Sequence, residues 1–178
     1  MNAADSERLT LRVPGLADFE DSAALWADPD VVRYTSGRAF TREESWARLM
    51  RYVGHWELFG FGFWVVRERD TGRFVGEVGV ANFRREIQPP LDGGFKIGWA
   101  VSPSAHGKGY ATEAALASLR WIEERHAPPR TVCIINPENA ASLVVARKCG
   151  YSEYARTTYK DSPVILFERL AQQMSSLL

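Results

Sequence analysis

The stretch from Phe95 to Thr112 holds the residues best placed to do chemistry. An apolar run ends in Ser102-Pro103-Ser104-Ala105, passes through His106-Gly107-Lys108-Gly109-Tyr110-Ala111-Thr112 and continues as a helical pattern. The first turn of a helix leaves about four amide donors without intrahelical partners, and the macrodipole places roughly half a positive charge there. Phosphate oxygens answer both deficits. Gly107 and Gly109 lack a Cβ, so their backbone can approach a pyrophosphate closely, and Lys108 adds charge from the rim. Glycines that only shape a strand-to-helix turn give the same string, so the motif alone leaves both uses open. A Walker loop does not fit, because Lys108 is followed by Gly109 rather than serine or threonine. A Rossmann fingerprint does not fit either. It needs a third small residue where Thr112 stands, and it belongs to an early βαβ unit.

The elements that must position this junction follow from periodicity. Glu7 to Val13 alternates and ends at Pro14-Gly15, as a strand closed by a turn does. Two helical stretches follow, Ala17 to Trp26 and Thr41 to Phe59. The second opens on Thr41-Arg42-Glu43-Glu44, an N-cap with glutamate three residues on, and an irregular connection over Val31 to Phe40 joins the two. Gly62 to Arg69, Phe74 to Phe83 and Phe95 to Val101 then read as an antiparallel meander, with a turn at Asp70-Thr71-Gly72 and a proline- and glycine-rich loop over Gln88 to Gly94. From Gly107 to Arg125 the pattern is helical, Ala111, Ala115, Leu119 and Ile122 sharing one face. A short strand at Thr131 to Ile135 leads to Asn136-Pro137, an N-cap and first-turn proline for a helix ending before Gly150. Tyr151 to Lys160 and Val164 to Leu170 then form a closing pair of strands.

Composition narrows the function. Lysine plus arginine number 22, as do aspartate plus glutamate, so no net field gathers nucleic acid or an anionic membrane. No apolar run reaches the ~18 residues of a spanning helix, and Met1 to Arg8 is polar rather than signal-like, so a cytoplasmic location is expected. Cys133 and Cys149 read as buried small hydrophobes, and the scattered His55, His106 and His126 favour no metal site. The length, 178 residues, fits one domain over 1–178.

Three segments together carry a resemblance: Ile97-Gly98-Trp99-Ala100-Val101, His106 to Ala114, and Asn139-Ala140-Ala141-Ser142 through Lys148-Cys149-Gly150-Tyr151. In this order and separation they resemble the GNAT N-acetyltransferases, and within them the RimJ/RimL-like branch. The likeness extends from Glu7 to the C-terminal strand. It implies an α/β fold with a mostly antiparallel twisted sheet of about six or seven strands and about four helices. It also implies an acetyl-CoA co-substrate, no metal, an amine acceptor (a small molecule or a protein N-terminus), and a monomer or homodimer. The pyrophosphate would lie on amides of Gly107, Lys108, Gly109 and Ala111, among His106, Tyr110 and Thr112, with the pantetheine beside Trp99, Ala100 and Val101. In the family the strand before the loop splays from the next one, here Thr131 to Ile135, and the arm enters the gap, where an amide near Ala100 or Val101 would polarise the thioester carbonyl. His106 departs from the usual glutamine or arginine, and its expected contribution is a backbone amide. Lys96 stands where many relatives carry an acidic residue.

Acetylation needs a neutral amine and a proton for the leaving thiolate. Glu77, on a central strand neighbouring the splayed one and flanked by Gly76 and Gly79 where a ligand could approach, is the candidate base. An outward-facing structural glutamate reads equally well. Relatives often place a tyrosine seven residues after the motif asparagine, where this chain has Ala146. That tyrosine protonates the leaving thiolate in those relatives, and Ser142 is then the nearest hydroxyl to take the role or to hydrogen-bond the cofactor, although a helix serine bonded back to its own backbone gives the same residue. It shares one helix face with Asn139, which is expected to bond the cofactor. Trp26, Tyr34, Trp46, Trp56, Phe59, Phe61, Phe63 and Trp64 crowd the acceptor side, most as core and a few as cleft lining. A non-catalytic acyl-CoA-binding protein of the same fold is the alternative function.

Overall fold

The computed structural model describes residues 3–91 and 93–171. Asp92, within the proline- and glycine-rich loop, and the ends of the expected domain, Met1, Asn2 and residues 172–178, lie outside the described residues. In chain order the elements are β1 (Ala3–Asp5), β2 (Leu9–Arg12), α1 (Phe19–Ala27), α2 (Pro29–Val32), α3 (Arg42–Phe59), β3 (Phe63–Glu68), β4 (Phe74–Ala81), β5 (Lys96–Val101), α4 (Tyr110–His126), β6 (Arg130–Ile135), α5 (Ala140–Lys148), β7 (Ser152–Tyr159) and β8 (Ser162–Leu170). The strands form one sheet in the order β1-β2-β3-β4-β5-β6-β8-β7, and its neighbours pair antiparallel except β5 with β6. The class is the expected α/β with a mixed sheet. The described residues hold eight strands and five helices because β1 and α2, of three and four residues, are too short to show a period.

Local chemistry explains the main boundaries. Thr41 Oγ1 accepts from the Glu44 amide at 3.2 Å while Glu44 accepts from the Thr41 amide at 2.8 Å, so α3 starts on the capping box its sequence spells. Gly60, at φ 71°, ends it in the left-handed conformation. The start of α5 differs from the sequence reading. Asn136 Oδ1 accepts from the Glu138 amide and closes a turn, and Asn139 is the true N-cap, accepting from the Ser142 amide at 3.1 Å.

Two layers cover the sheet. On one face α4 packs across β2, β4 and β5, burying Leu9, Val66, Val78 and Ile97 against Ala114, Leu119 and Ile122. Trp56 of α3 joins this core edge-on to Trp64 and Trp121, with centroids 4.3 and 5.5 Å away. On the other face α1 and α3 cover β3 and β4, with Trp26 and Tyr52 among the buried residues. A bulge in β4 assigns residues to these faces. Val66 pairs with Gly76 and Arg67 with Phe74, so Val75 is extra and turns to the α4 core, while Glu77 turns to α1. Cys133 and Cys149 are buried and free, as read from the sequence, and burial pushes their thiols up to about 12 and about 11.

Candidate active site

The cleft is made by two strands that start together and part. β5 and β6 share a single bridge, Lys96 with Val132, and beyond it the two part, β5 staying on β4 and β6 on β8, so that each forms one wall. In β5, Ala100, Gly98 and Lys96 pair with Glu77, Gly79 and Ala81 of β4, and the Ser102 amide donates to the Val75 carbonyl. Peptide groups alternate along a strand, so those of Trp99 and Val101 face away from β4, into the gap. Their amides have no strand partner past the bridge. This corrects part of the sequence reading: Ala100 lines the cleft, but its amide is directed at β4.

At the open end of β5 the backbone turns through Pro103–Ala105 into two glycines, Gly107 at φ 75° and Gly109 at φ 79°. An L side chain rarely adopts these angles, so the residue type follows from the turn. A Cβ on Gly107 would meet nothing within 4 Å, so the turn presents bare backbone to open space. Among the described residues, none of the amides from Gly107 to Thr112 donates to a protein acceptor, while the Glu113 amide begins the helical ladder on Gly109. These six donors at the positive end of a 17-residue helix fit a pyrophosphate.

Several side chains act differently from expectation. The His106 amide is used by the Pro103 carbonyl, so His106 contributes its ring instead, Nε2 lying 2.9 Å from the Val101 carbonyl. Lys108 turns toward Glu68, 3.8 Å away, rather than into the cleft, so its part in the turn is its amide. Tyr110 donates from its hydroxyl to the same Glu68 at 3.0 Å and carries the Arg8 guanidinium over its ring at 4.7 Å. Asn139 spends its side-chain carbonyl on the α5 cap. Ser142 Oγ accepts from Trp99 Nε1 at 3.1 Å across the cleft floor. An indole N–H can only donate, so it occupies a lone pair and leaves the serine proton free. Ala146 is wholly buried.

Glu77 is fully buried and does not line the cleft. One carboxylate oxygen accepts from Ser22 Oγ at 2.6 Å and the other from Trp26 Nε1 at 2.8 Å. Its flanking glycines also serve packing rather than ligand approach. A Cβ at Gly76 would lie 2.1 Å from the Ala100 carbonyl, and one at Gly79 2.3 Å from the Gly62 carbonyl. Burial raises the Glu77 carboxyl above its ordinary 4.5, against the pull of Arg48 and its hydrogen-bond donors. A raised carboxyl contributes stability that is complete below the unfolded value and is lost as pH rises through the folded one. Glu77→Gln holds no titrating proton. Its melting temperature should match wild type near pH 4.5 and exceed it increasingly as pH rises. A gap that narrows with rising pH would contradict the sign.

The aromatics divide as their positions dictate. Trp26, Tyr34 and Phe63 line the cleft, joined by Phe40 and Phe83, which sequence did not single out. Trp56, Phe61 and Trp64 are core, and Trp46 and Phe59 are exposed. Arg48, Arg85 and Lys96 also line the cleft, whose volume is about 820 Å³.

A split parallel pair ending on bare turn amides is the arrangement that the resemblance implies, and comparison with known proteins gives the same family. The family described as "Acetyltransferase (GNAT) domain" matches residues 8–152. The chain belongs to the GNAT acetyltransferases. The protein YkkB of Bacillus subtilis (strain 168), itself uncharacterized, is 31% identical over 147 residues, covering 82% of this chain and 81% of YkkB. An acetyltransferase from Agrobacterium tumefaciens str. C58 superposes with a TM-score of 0.81 at 26% identity, covering 96% of this chain and 95% of that one. RimL, a ribosomal L7/L12 alpha-N-protein acetyltransferase solved with coenzyme A, shares the GNAT fold at a TM-score of 0.75 and 14% identity, covering 95% and 98%.

Proposed function

We propose that this protein transfers the acetyl group of acetyl-CoA to a primary amine by direct attack on the thioester, as a relative of the RimJ/RimL branch. The observation that carries the reading is the parting of β5 from β6 after one bridge, with unpartnered amides both in the gap and on the turn beyond it. Acetyl-CoA supplies the activated acyl group. Amides from Gly107 to Thr112 hold the pyrophosphate and orient the arm along β5, where the Trp99 and Val101 amides are placed to polarise the carbonyl. The amine nitrogen bonds to the carbonyl carbon, the carbon–sulfur bond breaks, the nitrogen releases a proton to solvent, and the sulfur leaves as a thiolate.

Ser142 is the proposed proton donor to that thiolate, its hydroxyl aimed by Trp99. Glu77 is a positioning residue in this account. Held behind Trp26 and Ser22, it fixes the acceptor wall and leaves the deprotonation of the amine to solvent.

Calorimetry and thermal shift test the reading. Acetyl-CoA at ~100 times its dissociation constant should add ~2.7 kcal/mol of stability. ATP or NAD should add none, and stabilisation by either of them alone would overturn the reading. Ser142→Ala should lower kcat on the order of 10- to 100-fold while leaving acetyl-CoA affinity near wild type. An unchanged kcat would remove Ser142 from the proton path, and binding without turnover of any amine would favour a non-catalytic acyl-CoA-binding role.

A further inference from the structure

Besides Arg33, Lys148 and Lys160, the cleft is lined by three cations that acetyl transfer does not itself require: Arg48 of α3, Arg85 beyond β4, and Lys96 at the head of β5. Among the described residues the one carboxylate lining the cleft is Asp30, and Arg33 already holds it at 2.7 Å. Arg48 Nε donates to the Tyr52 hydroxyl at 2.9 Å, its guanidinium 3.5 Å from the Trp26 ring centroid. Arg85 Nη1 donates to the Tyr159 hydroxyl at 3.0 Å, and Lys96 Nζ to the Ile97 carbonyl at 3.3 Å. None of the three is ion-paired among the described residues, and Arg85 Nε is buried without a protein acceptor. A guanidinium N–H in that state is satisfied by an arriving anion.

The neighbouring charges do not cancel this field. Glu77 lies behind Arg48, fully buried and bonded to Ser22 and Trp26, so it opposes Arg48 without facing the cleft. Burial, with the charges of Arg85 and Arg48, pulls the Lys96 ammonium down to about 7, so these cations act on one another. The cofactor's pyrophosphate does not account for them either. Its cradle begins beyond Val101, and Lys96 stands five residues back, about 16 Å along an extended strand.

We propose that the acceptor is a primary amine bearing a carboxylate, which Arg85, Lys96 and Arg48 grip while the nitrogen meets the thioester. Free amino acids and acidic peptide N-termini share that chemistry, whereas a polyamine would face the two guanidinium charges of Arg48 and Arg85 beside Lys96. The proposal rests on the acetyltransferase reading and names its substrate class. The same cations lower the pKa of the acceptor's ammonium, so the neutral nucleophile forms without a carboxylate base. The transfer balances as before: carbon–nitrogen bond made, carbon–sulfur bond broken, one proton lost from nitrogen and one gained by sulfur.

The test uses the full chain with acetyl-CoA, reading thiol release from free amino acids, their carboxamides, tripeptides beginning with aspartate or glutamate, and spermidine. A carboxylate-bearing amine should be turned over with kcat/KM roughly 10- to 100-fold above its own carboxamide. Turnover of free amino acids rather than tripeptides, or the reverse, identifies the source of the carboxylate. Arg85→Gln and Lys96→Met should collapse that ratio toward one with acetyl-CoA affinity unchanged by calorimetry, and Arg85→Lys should keep part of it. Carboxamides or spermidine used as well as the carboxylates would overturn the proposal. So would a panel in which no carboxylate reacts although acetyl-CoA binds. Absence of acetyl-CoA binding would instead bring down the cofactor reading, and the proposal with it.

Discussion

Gly109→Val should weaken acetyl-CoA binding by about 100-fold or more, measured by calorimetry on the folded variant. The cause is conformational. A Cβ at this position would have Arg8 Nη2 no nearer than 3.6 Å, so space is not limiting, but the backbone sits at φ 79°. A β-branched L residue there costs on the order of 1–3 kcal/mol and relaxes by leaving the left-handed region. That rotation turns the amides around Gly109 away from a common point, and several charge-assisted hydrogen bonds weaken together, each worth about 1.5–3 kcal/mol. Circular dichroism should show a retained fold, because Gly109 precedes α4 and its side-chain position faces outward from the core. Wild-type affinity in a folded Gly109→Val protein would remove this turn from the site.

Gly76→Val should act on the fold itself, lowering stability by more than about 4 kcal/mol. At a domain of this size that is a fall in melting temperature of roughly 8 °C or more. The added Cβ would stand 2.1 Å from the Ala100 carbonyl and 2.9 Å from Val101 Cα, both backbone atoms that no rotamer change can move. Relief requires β5 to leave β4, and β5 is the wall that presents the Trp99 and Val101 amides. Residual folded protein should therefore bind acetyl-CoA weakly as well. A melting temperature within a degree or two of wild type would show that the close approach of the two strands does not constrain this position.

These sites differ in how far sequence could find them. The turn was legible because its chemistry is local: paired glycines, an apolar strand before them and a helical period after them leave few other shapes. The capping box of α3 was legible for the same reason, Thr41 and Glu44 being one turn apart. Asn136 misled because Asn-Pro fits a helix start, yet Asn139, three residues on, competes with the same side chain and wins the cap. Glu77 misled because α1 covers it. Ser22 and Trp26, more than fifty residues away in sequence, take both carboxylate oxygens and stand between it and the cleft, and no local pattern announced them. The glycines beside Glu77 likewise answer to the carbonyls of Ala100 in β5 and of Gly62 just before β3, partners distant in sequence. The cation cluster was invisible for a related reason. Arg48, Arg85 and Lys96 come from three separate elements, and only the sheet order brings them together without carboxylate partners.

Amide chemical shifts followed by heteronuclear NMR as coenzyme A is added to the full chain test the central claim most directly. The largest changes should fall on the amides of Gly107, Lys108, Gly109, Ala111 and Thr112, with a second set at Trp99 and Val101. Saturation that leaves those amides unmoved while others shift would place the diphosphate elsewhere and contradict the account.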